Sequence, residues 1–236
     1  MNLTIAVIAK ECRPGRVKTR LNPPLTPGQA AALAQTCLSQ TLETVRSLPA
    51  RRRLLVFDGT PRPADASGFE VSDQGAGGLD ERLAAICSLT AGPLLILGMD
   101  TPQLCREHLA PLLSDWASPG SVPRRGAWFG PASDGGFWAL GLYRPDGGLL
   151  RGVGMSTPQT GAQQLARLAG AGLDVGLLPV LSDVDYFADA MAAARECSGT
   201  RFALAVERLS AGVPEAGMPP GLVPSPAAPT ARSSVR

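Results

Sequence analysis

Three short segments, Leu3 to Ala9, Leu54 to Phe57 and Pro93 to Gly98, are apolar almost throughout and do not alternate with polar residues. A strand with one wet face alternates with a period of two, so runs of this kind are expected to be buried on both faces, as in a parallel sheet covered by helices. The intervening sequence supplies the helices. Thr26-Pro27-Gly28-Gln29 offers an N-cap, a proline in the first turn and a glutamine placed to complete a capping box. Ala30, Leu33, Ala34, Cys37, Leu38, Thr41, Leu42, Val45 and Leu48 then recur at helical spacing and make one stripe fit to cover a sheet. A shorter helix, Leu79 to Leu89, is expected behind the glycine-rich stretch Gly75 to Gly78. Strands alternating with helices predict an α/β fold, a three-layer αβα sandwich around a mostly parallel sheet, whose ligands bind beyond the carboxyl ends of the strands.

The same reading extends along the chain. The third apolar run ends at Met99-Asp100, and Thr101-Pro102 is expected to cap a helix running towards Trp116. Ala127 to Phe129 and Phe137 to Leu142 read as strands flanking the loop Gly130 to Gly136. Thr157-Pro158 should open a helix closed by Gly172, and Val175 to Leu178 a strand leading to Asp183-Val184-Asp185. Two further helices, about Tyr186 to Arg195 and Arg201 to Leu209, complete a domain of residues 1–211. Residues 212–236 turn to Pro, Ala, Gly and Ser without apolar periodicity and are expected to form a disordered tail.

Composition limits the function classes. The net charge of +2 gives no general field for nucleic acid or membranes, so any basic site must be local. Five scattered cysteines without a CxxC spacing suggest neither a disulfide framework nor a zinc site. No apolar run is long enough to span a bilayer, and the opening run is too short for a signal-peptide core, so a cytoplasmic protein is expected.

The chain has twenty Arg and only two Lys, and both lysines, Lys10 and Lys18, fall in the loop after the first strand together with Arg13, Arg16 and Arg20. With Gly15 letting backbone amides approach a ligand, this loop suits a polyphosphate; the alternative is a solvated basic loop. Asp100, Asp183 and Asp185 follow expected strands and could gather around one or two hard cations, although Asp183 or Asp185 could instead cap a helix. Asp134 could hold a substrate hydroxyl or make a turn, and Gln74 could contact a base. The Walker A pattern is absent, and Gly75 to Gly78 does not open a helix directly after a strand as a dinucleotide fingerprint would. His108 is the single histidine and lies within an expected helix, which gives little support to Ser-His-Asp or Cys-His chemistry.

The run from Ile8 to Leu21 closely resembles the AKxPxPGxVKTRL opening of the DUF2064 family, often described as glycosyltransferase-like. Gly98-Met99-Asp100-Thr101-Pro102, Gly130 to Phe137 and Asp183-Val184-Asp185 continue the resemblance in order. It implies a Rossmann-like GT-A fold of the nucleotide-diphospho-sugar transferase superfamily, similar to nucleotidyltransferases of the molybdopterin guanylyltransferase type. Lys18 and Arg20 match the basic loop of such enzymes, Asp100 their metal-binding aspartate, and Asp185 the second ligand in a DxDxxxD stretch ending at Asp189. The sequence departs from the family at Cys12, where Pro is usual, and at Met155, where many members have Trp before Ser-Thr.

The resemblance and the residues together set the expected site. Lys18, Arg20 and Asp100 are the catalytic residues; Ala9, Lys10, Gly15, Arg16, Lys18, Gln74 and Gly77 bind the nucleotide; Asp134, Gly135, Gly136, Ser156 and Thr157 bind the acceptor; and Asp100, Asp185 and Asp183 hold Mg²⁺ or Mn²⁺. The expected reaction is nucleotidyl transfer from an NTP to a phosphorylated small molecule with release of pyrophosphate. The alternatives are glycosyl transfer from a nucleotide sugar and nucleotide binding without turnover. The expected partners are thus a nucleotide or nucleotide sugar and a small acceptor, with no nucleic acid and no membrane span, while the base, the acceptor and the oligomeric state are left open.

Overall fold

A computed structural model describes residues 2–60, 65–117 and 123–212. The expected tail, apart from Gly212, lies outside the described residues. In chain order the elements are β1 (Thr4–Lys10), α1 (Pro27–Ser47), β2 (Arg52–Asp58), β3 (Glu70–Asp73), α2 (Leu79–Cys87), β4 (Leu94–Leu97), α3 (Arg106–Trp116), β5 (Ala127–Pro131), β6 (Phe137–Leu142), α4 (Thr160–Gly170), β7 (Val175–Leu177), α5 (Phe187–Glu196) and α6 (Arg201–Ser210). The strands form one seven-stranded sheet in the order β3-β2-β1-β4-β6-β5-β7.

The strand pairs β1 with β2, β1 with β4, β2 with β3, and β5 with β7 are parallel. β6 is antiparallel to both β4 and β5, so the sheet is mostly parallel. This exception positions the site. Because β6 runs backwards, its beginning rather than its end lies at the edge where β1, β2 and β4 finish, and the turn before Phe137 opens on that edge.

Both faces of the sheet are covered, as continuously apolar strands require. Ile5, Val7, Leu95 and Leu97 pack with Leu38, Leu42 and Val45 of α1 and with Leu109 and Leu112 of α3. On the other face Ala6, Leu54, Ile96 and Leu140 pack with Leu83 and Ile86 of α2 and Leu168 of α4. A third cluster joins α1 to α5 and α6 through Leu33, Phe187 and Phe202.

The α1 start follows the sequence reading closely. Thr26 Oγ1 accepts the Gln29 backbone N–H, and Gln29 Oε1 accepts the Thr26 N–H at 2.8 Å, a complete capping box. Every residue of its expected apolar stripe is buried. A cap of this type contributes about 1 kcal/mol, and the buried stripe does the rest of the work of fixing the helix.

Three expectations require correction. β3 is an additional strand: Glu-Val-Ser-Asp carries no apolar run because it is an edge strand, half exposed, paired only with β2. α3 begins at Arg106 rather than at Thr101-Pro102; residues 101–104 form a turn closed by the Leu104 N–H on Thr101 O, and Cys105 is the N-cap. His108 therefore sits in the first turn of α3, where Nδ1 accepts the Cys105 N–H at 3.3 Å. α4 begins at Thr160 rather than at Thr157-Pro158, because Thr157 and Thr160 close a turn ahead of it. Among the described residues no helix is long and apolar enough to cross a membrane.

Candidate active site

A cleft of about 920 Å³ opens at the carboxyl edge of the parallel strands. The end of β1 contributes Ala9 and Lys10, β2 contributes Asp58, and the segment after β4 contributes Gly98, Met99 and Asp100. The turn before β6 adds Ser133, Asp134 and Gly136, the segment after β7 adds Asp183 and Asp185, and the approach to α4 adds Met155, Ser156 and Thr157.

The basic loop divides in two. Val17 and Leu21 are buried and anchor it to the core, and Lys18 between them adopts the left-handed conformation (φ 47°, ψ 43°) before a 3-10 turn of Thr19–Leu21. Those anchors turn the Lys18 side chain inward, where it is only 7% exposed. Lys18 Nζ lies 3.0 Å from Asp100 Oδ1 and 3.0 Å from Asp185 Oδ1. The approach meets hydrogen-bond geometry at Asp185; at Asp100 it is an ion pair only, and Asp100 Oδ1 is a buried oxygen without a hydrogen-bond partner. Burial opposes the charge on Lys18, but the two carboxylates outweigh it and raise the ammonium's pKa above its ordinary value.

Arg20 is exposed, donates from Nη1 to Asp185 Oδ2 at 3.2 Å, and lies over the Tyr186 ring. Arg13 and Arg16 are exposed and lie away from the cleft; Arg13 pairs with Glu11 at 2.8 Å and donates to Thr60 O. Gly15 makes the turn between them with φ 74° and, like Gly77, does not line the cleft. The solvated-loop alternative thus describes Arg13 and Arg16, whereas Lys10 and Arg20 line the cleft and Lys18 lies beneath it, against the carboxylates of Asp100 and Asp185.

The carboxylates converge from distant parts of the chain. The Val184 N–H donates to Asp100 O at 3.0 Å, and Gln103 Nε2 donates to Ser182 O at 2.7 Å. These two bonds tie the turn after β4 to the segment carrying Asp183 and Asp185. Neither Asp183 nor Asp185 caps α5: its N-cap is Tyr186, and Asp189 Oδ2 accepts the Asp185 and Tyr186 N–H groups. Thr101 caps nothing; its hydroxyl is buried without a partner. Burial, reinforced by Asp100, Asp134 and Asp185 and opposed by Lys18, pushes the Asp183 carboxyl up to about 7.

Gln103, which the sequence did not single out, is 4% exposed and its Oε1 is unpartnered. Gln103→Leu is expected to cost about 1 kcal/mol by removing the partner of the half-buried Ser182 O. Urea unfolding of the variant checks this, and an unchanged midpoint would show that the bond contributes nothing to stability.

The remaining expected residues are more local in what they do. Asp134 Oδ1 accepts the Gly136 N–H at 2.8 Å, making a turn that nevertheless faces the cleft. Gly135 has φ 89°, and a Cβ there would collide with the Pro158 carbonyl, so the turn presses against the approach to α4. Ser156 is a non-glycine residue with φ 58° at the cleft wall. Gln74 is buried; Nε2 donates to Ala9 O at 2.7 Å and to Val56 O, while Oε1 accepts from Arg82 at 3.2 Å. Its donors are committed to the strand ends. Arg82 also pairs with Asp58 at 3.2 Å, and both line the cleft unforeseen. An aspartate closing a buried strand was a signal available for Asp58.

Asp100, Asp183 and Asp185 offer the hard oxygen donors that Mg²⁺ or Mn²⁺ requires, and the unpartnered Asp100 Oδ1 is chemically suited to such a cation. As the side chains lie, no group of three His, Cys, Asp or Glu among the described residues is arranged to hold a metal ion. Lys18 Nζ fills the space on which Asp100 and Asp185 converge.

Residues 41–157 match the family model described as an uncharacterized protein conserved in bacteria, DUF2064. The DUF2064 match includes Asp100 and Asp134 to Gly136 but not Lys18 or Asp185. The fold resembles a protein of Desulfovibrio desulfuricans G20 provisionally assigned to the nucleotide-diphospho-sugar transferases, at TM-score 0.75 and 21% identity over 89% of this chain and 95% of that one. It also resembles 2-C-methyl-D-erythritol 4-phosphate cytidylyltransferase of Thermus thermophilus, at TM-score 0.51 and 15% identity over 87% and 99% of the two chains. A cytidylyltransferase of Leptospira borgpetersenii is similar at TM-score 0.51 and 12% identity over 89% and 94%. No curated protein matches by sequence. The chain thus has the GT-A-like fold of nucleotide-diphospho-sugar transferases and nucleotidyltransferases.

Proposed function

We propose that this DUF2064 chain is a cation-dependent nucleotidyltransferase that joins an NTP to a phosphorylated small molecule. A phosphate oxygen of the acceptor attacks the α-phosphorus, the bond from the α-phosphorus to the bridging oxygen breaks, and pyrophosphate leaves with the electron pair. An acceptor phosphate that is already ionised needs no general base, which agrees with a cleft lined by carboxylates and cations and by no histidine.

One observation carries this reading: Asp100 and Asp185 meet on Lys18 Nζ, each at 3.0 Å, at a cleft of about 920 Å³. Arg20 engages Asp185 through one nitrogen, which leaves other guanidinium donors for a phosphate. Lys10 is exposed at the end of β1, where it can follow the same ligand. Asp100 and Asp185, with Asp183 beside them, would hold Mg²⁺ or Mn²⁺, which supplies charge stabilisation on the phosphates when bound. The chain's own part is to align the two phosphates and to neutralise the departing pyrophosphate with Lys18 and Arg20. Asp134, Gly136, Ser156 and Thr157 line the same cleft and are suited to the acceptor's hydroxyl groups. Two structures sharing this fold are cytidylyltransferases, which supports the reaction class.

The test is pyrophosphate release from each NTP in the presence of Mg²⁺ and a panel of sugar phosphates and other phosphorylated acceptors. Release that depends on both NTP and acceptor supports the proposal. Turnover of nucleotide sugars alone would make the chain a glycosyltransferase, and tight nucleotide binding without either reaction would make it a binding protein.

A further inference from the structure

Resting on the nucleotidyltransferase reading, we infer that Lys18 is a built-in substitute for the divalent cation, so that the site takes the metal only together with a polyphosphate. The ammonium holds the two carboxylate oxygens that a divalent cation would use. Asp100 Oδ1 and Asp185 Oδ1 both face Nζ at 3.0 Å. Mg²⁺ would need to approach carboxylate oxygens to about 2.1 Å, and Lys18 Nζ already holds both at 3.0 Å, so a cation drawn to the same two oxygens would compete with the ammonium for them.

Lys18 is held in that position. Its side chain is 7% exposed, its neighbours Val17 and Leu21 are buried, and its backbone is in the left-handed region at φ 47°, which a lysine enters at some cost. Both carboxylates already have cationic partners: Lys18 faces Asp100 and Asp185, and Arg20 sits on the far oxygen Asp185 Oδ2, with Asp183 nearby. A free divalent cation must expel Lys18 from both carboxylates and offers it nothing in exchange. A polyphosphate entering with the cation offers the ammonium a new anionic partner. The form of nucleotide taken is then the metal–NTP complex, and the metal-free site stays closed to free cations.

The reading inverts the usual outcome of deleting a catalytic cation. Mn²⁺ binding to the full chain is followed by the paramagnetic resonance of free Mn²⁺, with and without a non-hydrolysable NTP analogue, for the unaltered protein, Lys18→Met and Lys18→Arg. The unaltered protein should bind Mn²⁺ at least about tenfold more tightly with the analogue than without it, a coupling typical of close charge pairs. Lys18→Met should bind free Mn²⁺ about tenfold more tightly than the unaltered protein while losing analogue affinity; Lys18→Arg should gain nothing. Circular dichroism melting establishes that each variant is folded. Equal or weaker Mn²⁺ binding by folded Lys18→Met would overturn the inference, as would Mn²⁺ binding to the unaltered protein that ignores the analogue; the second measurement needs no variant. The two readings fail separately. Pyrophosphate release without a gain of Mn²⁺ affinity in Lys18→Met overturns only the exchange, whereas the gain without pyrophosphate release retains the exchange and removes the reaction.

Discussion

Asp100→Asn is expected to reduce pyrophosphate release about 10³-fold or more while leaving the fold intact. Asparagine preserves the shape of the side chain and removes the charge that opposes Lys18 and would ligate a cation. Losing one preorganised electrostatic group typically costs about 10²- to 10³-fold in kcat, and here the same side chain serves two roles, which places the effect at about the upper end. The stability change should stay below about 1 kcal/mol, because the Asp100 side chain is 37% exposed and an ion pair at that exposure is weakened by solvent. Its backbone carbonyl still receives the Val184 N–H, so the union of the two segments survives. Pyrophosphate kinetics with a thermal melt checks both halves, and wild-type turnover in a folded Asp100→Asn protein would remove Asp100 from the active site.

Trp138→Ala should have the largest effect on stability, about 3–5 kcal/mol, with the melting temperature lowered by roughly 10 °C for a chain of this size. Trp138 is 2% exposed and lies against Gly130, where a Cβ would approach Trp138 Cε2 at 2.6 Å. Its Nε1–H donates to Pro179 O at 3.0 Å, and its own carbonyl accepts the Gly98 N–H. Truncation therefore leaves a large void and also releases the chain between β7 and Asp183. Turnover measured well below the melting temperature should fall too, since Asp183 and Asp185 lie only four and six residues beyond Pro179. Calorimetry paired with kinetics separates the two effects; a loss of stability with undiminished turnover would show that the other ties on this segment, among them Leu181 N–H to Pro131 O and Gln103 to Ser182 O, suffice to hold it.

Much of the architecture was legible because it follows from local rules. The capping box at Thr26 and Gln29, the α1 stripe and the unbroken apolar strands each state their environment without reference to the rest of the chain. The elements that were misread are those whose cause is tertiary. β3 has too little apolar character to announce itself and exists because β2 offers a free edge. Thr101-Pro102 has the composition of a helix start, yet a turn intervenes before Cys105, and Gln40 Nε2 donates to Pro102 O at 3.0 Å from α1.

The site divides in the same way. Sequence alone determined which residues carry the charge: two lysines in a chain of arginines, both after the first strand, and aspartates at the ends of buried segments. It determined the layer order too, since periodicity is a local property. Only the tertiary structure decided that Lys18 faces inward while Arg13 and Arg16 face solvent, that Gln74 serves the strand ends, and that Asp100 meets Asp185. Side-chain direction in a loop is set by the burial of its neighbours, and the meeting of distant carboxylates by strand order, including the reversed β6; neither quantity is written in the spacing of residues along the chain.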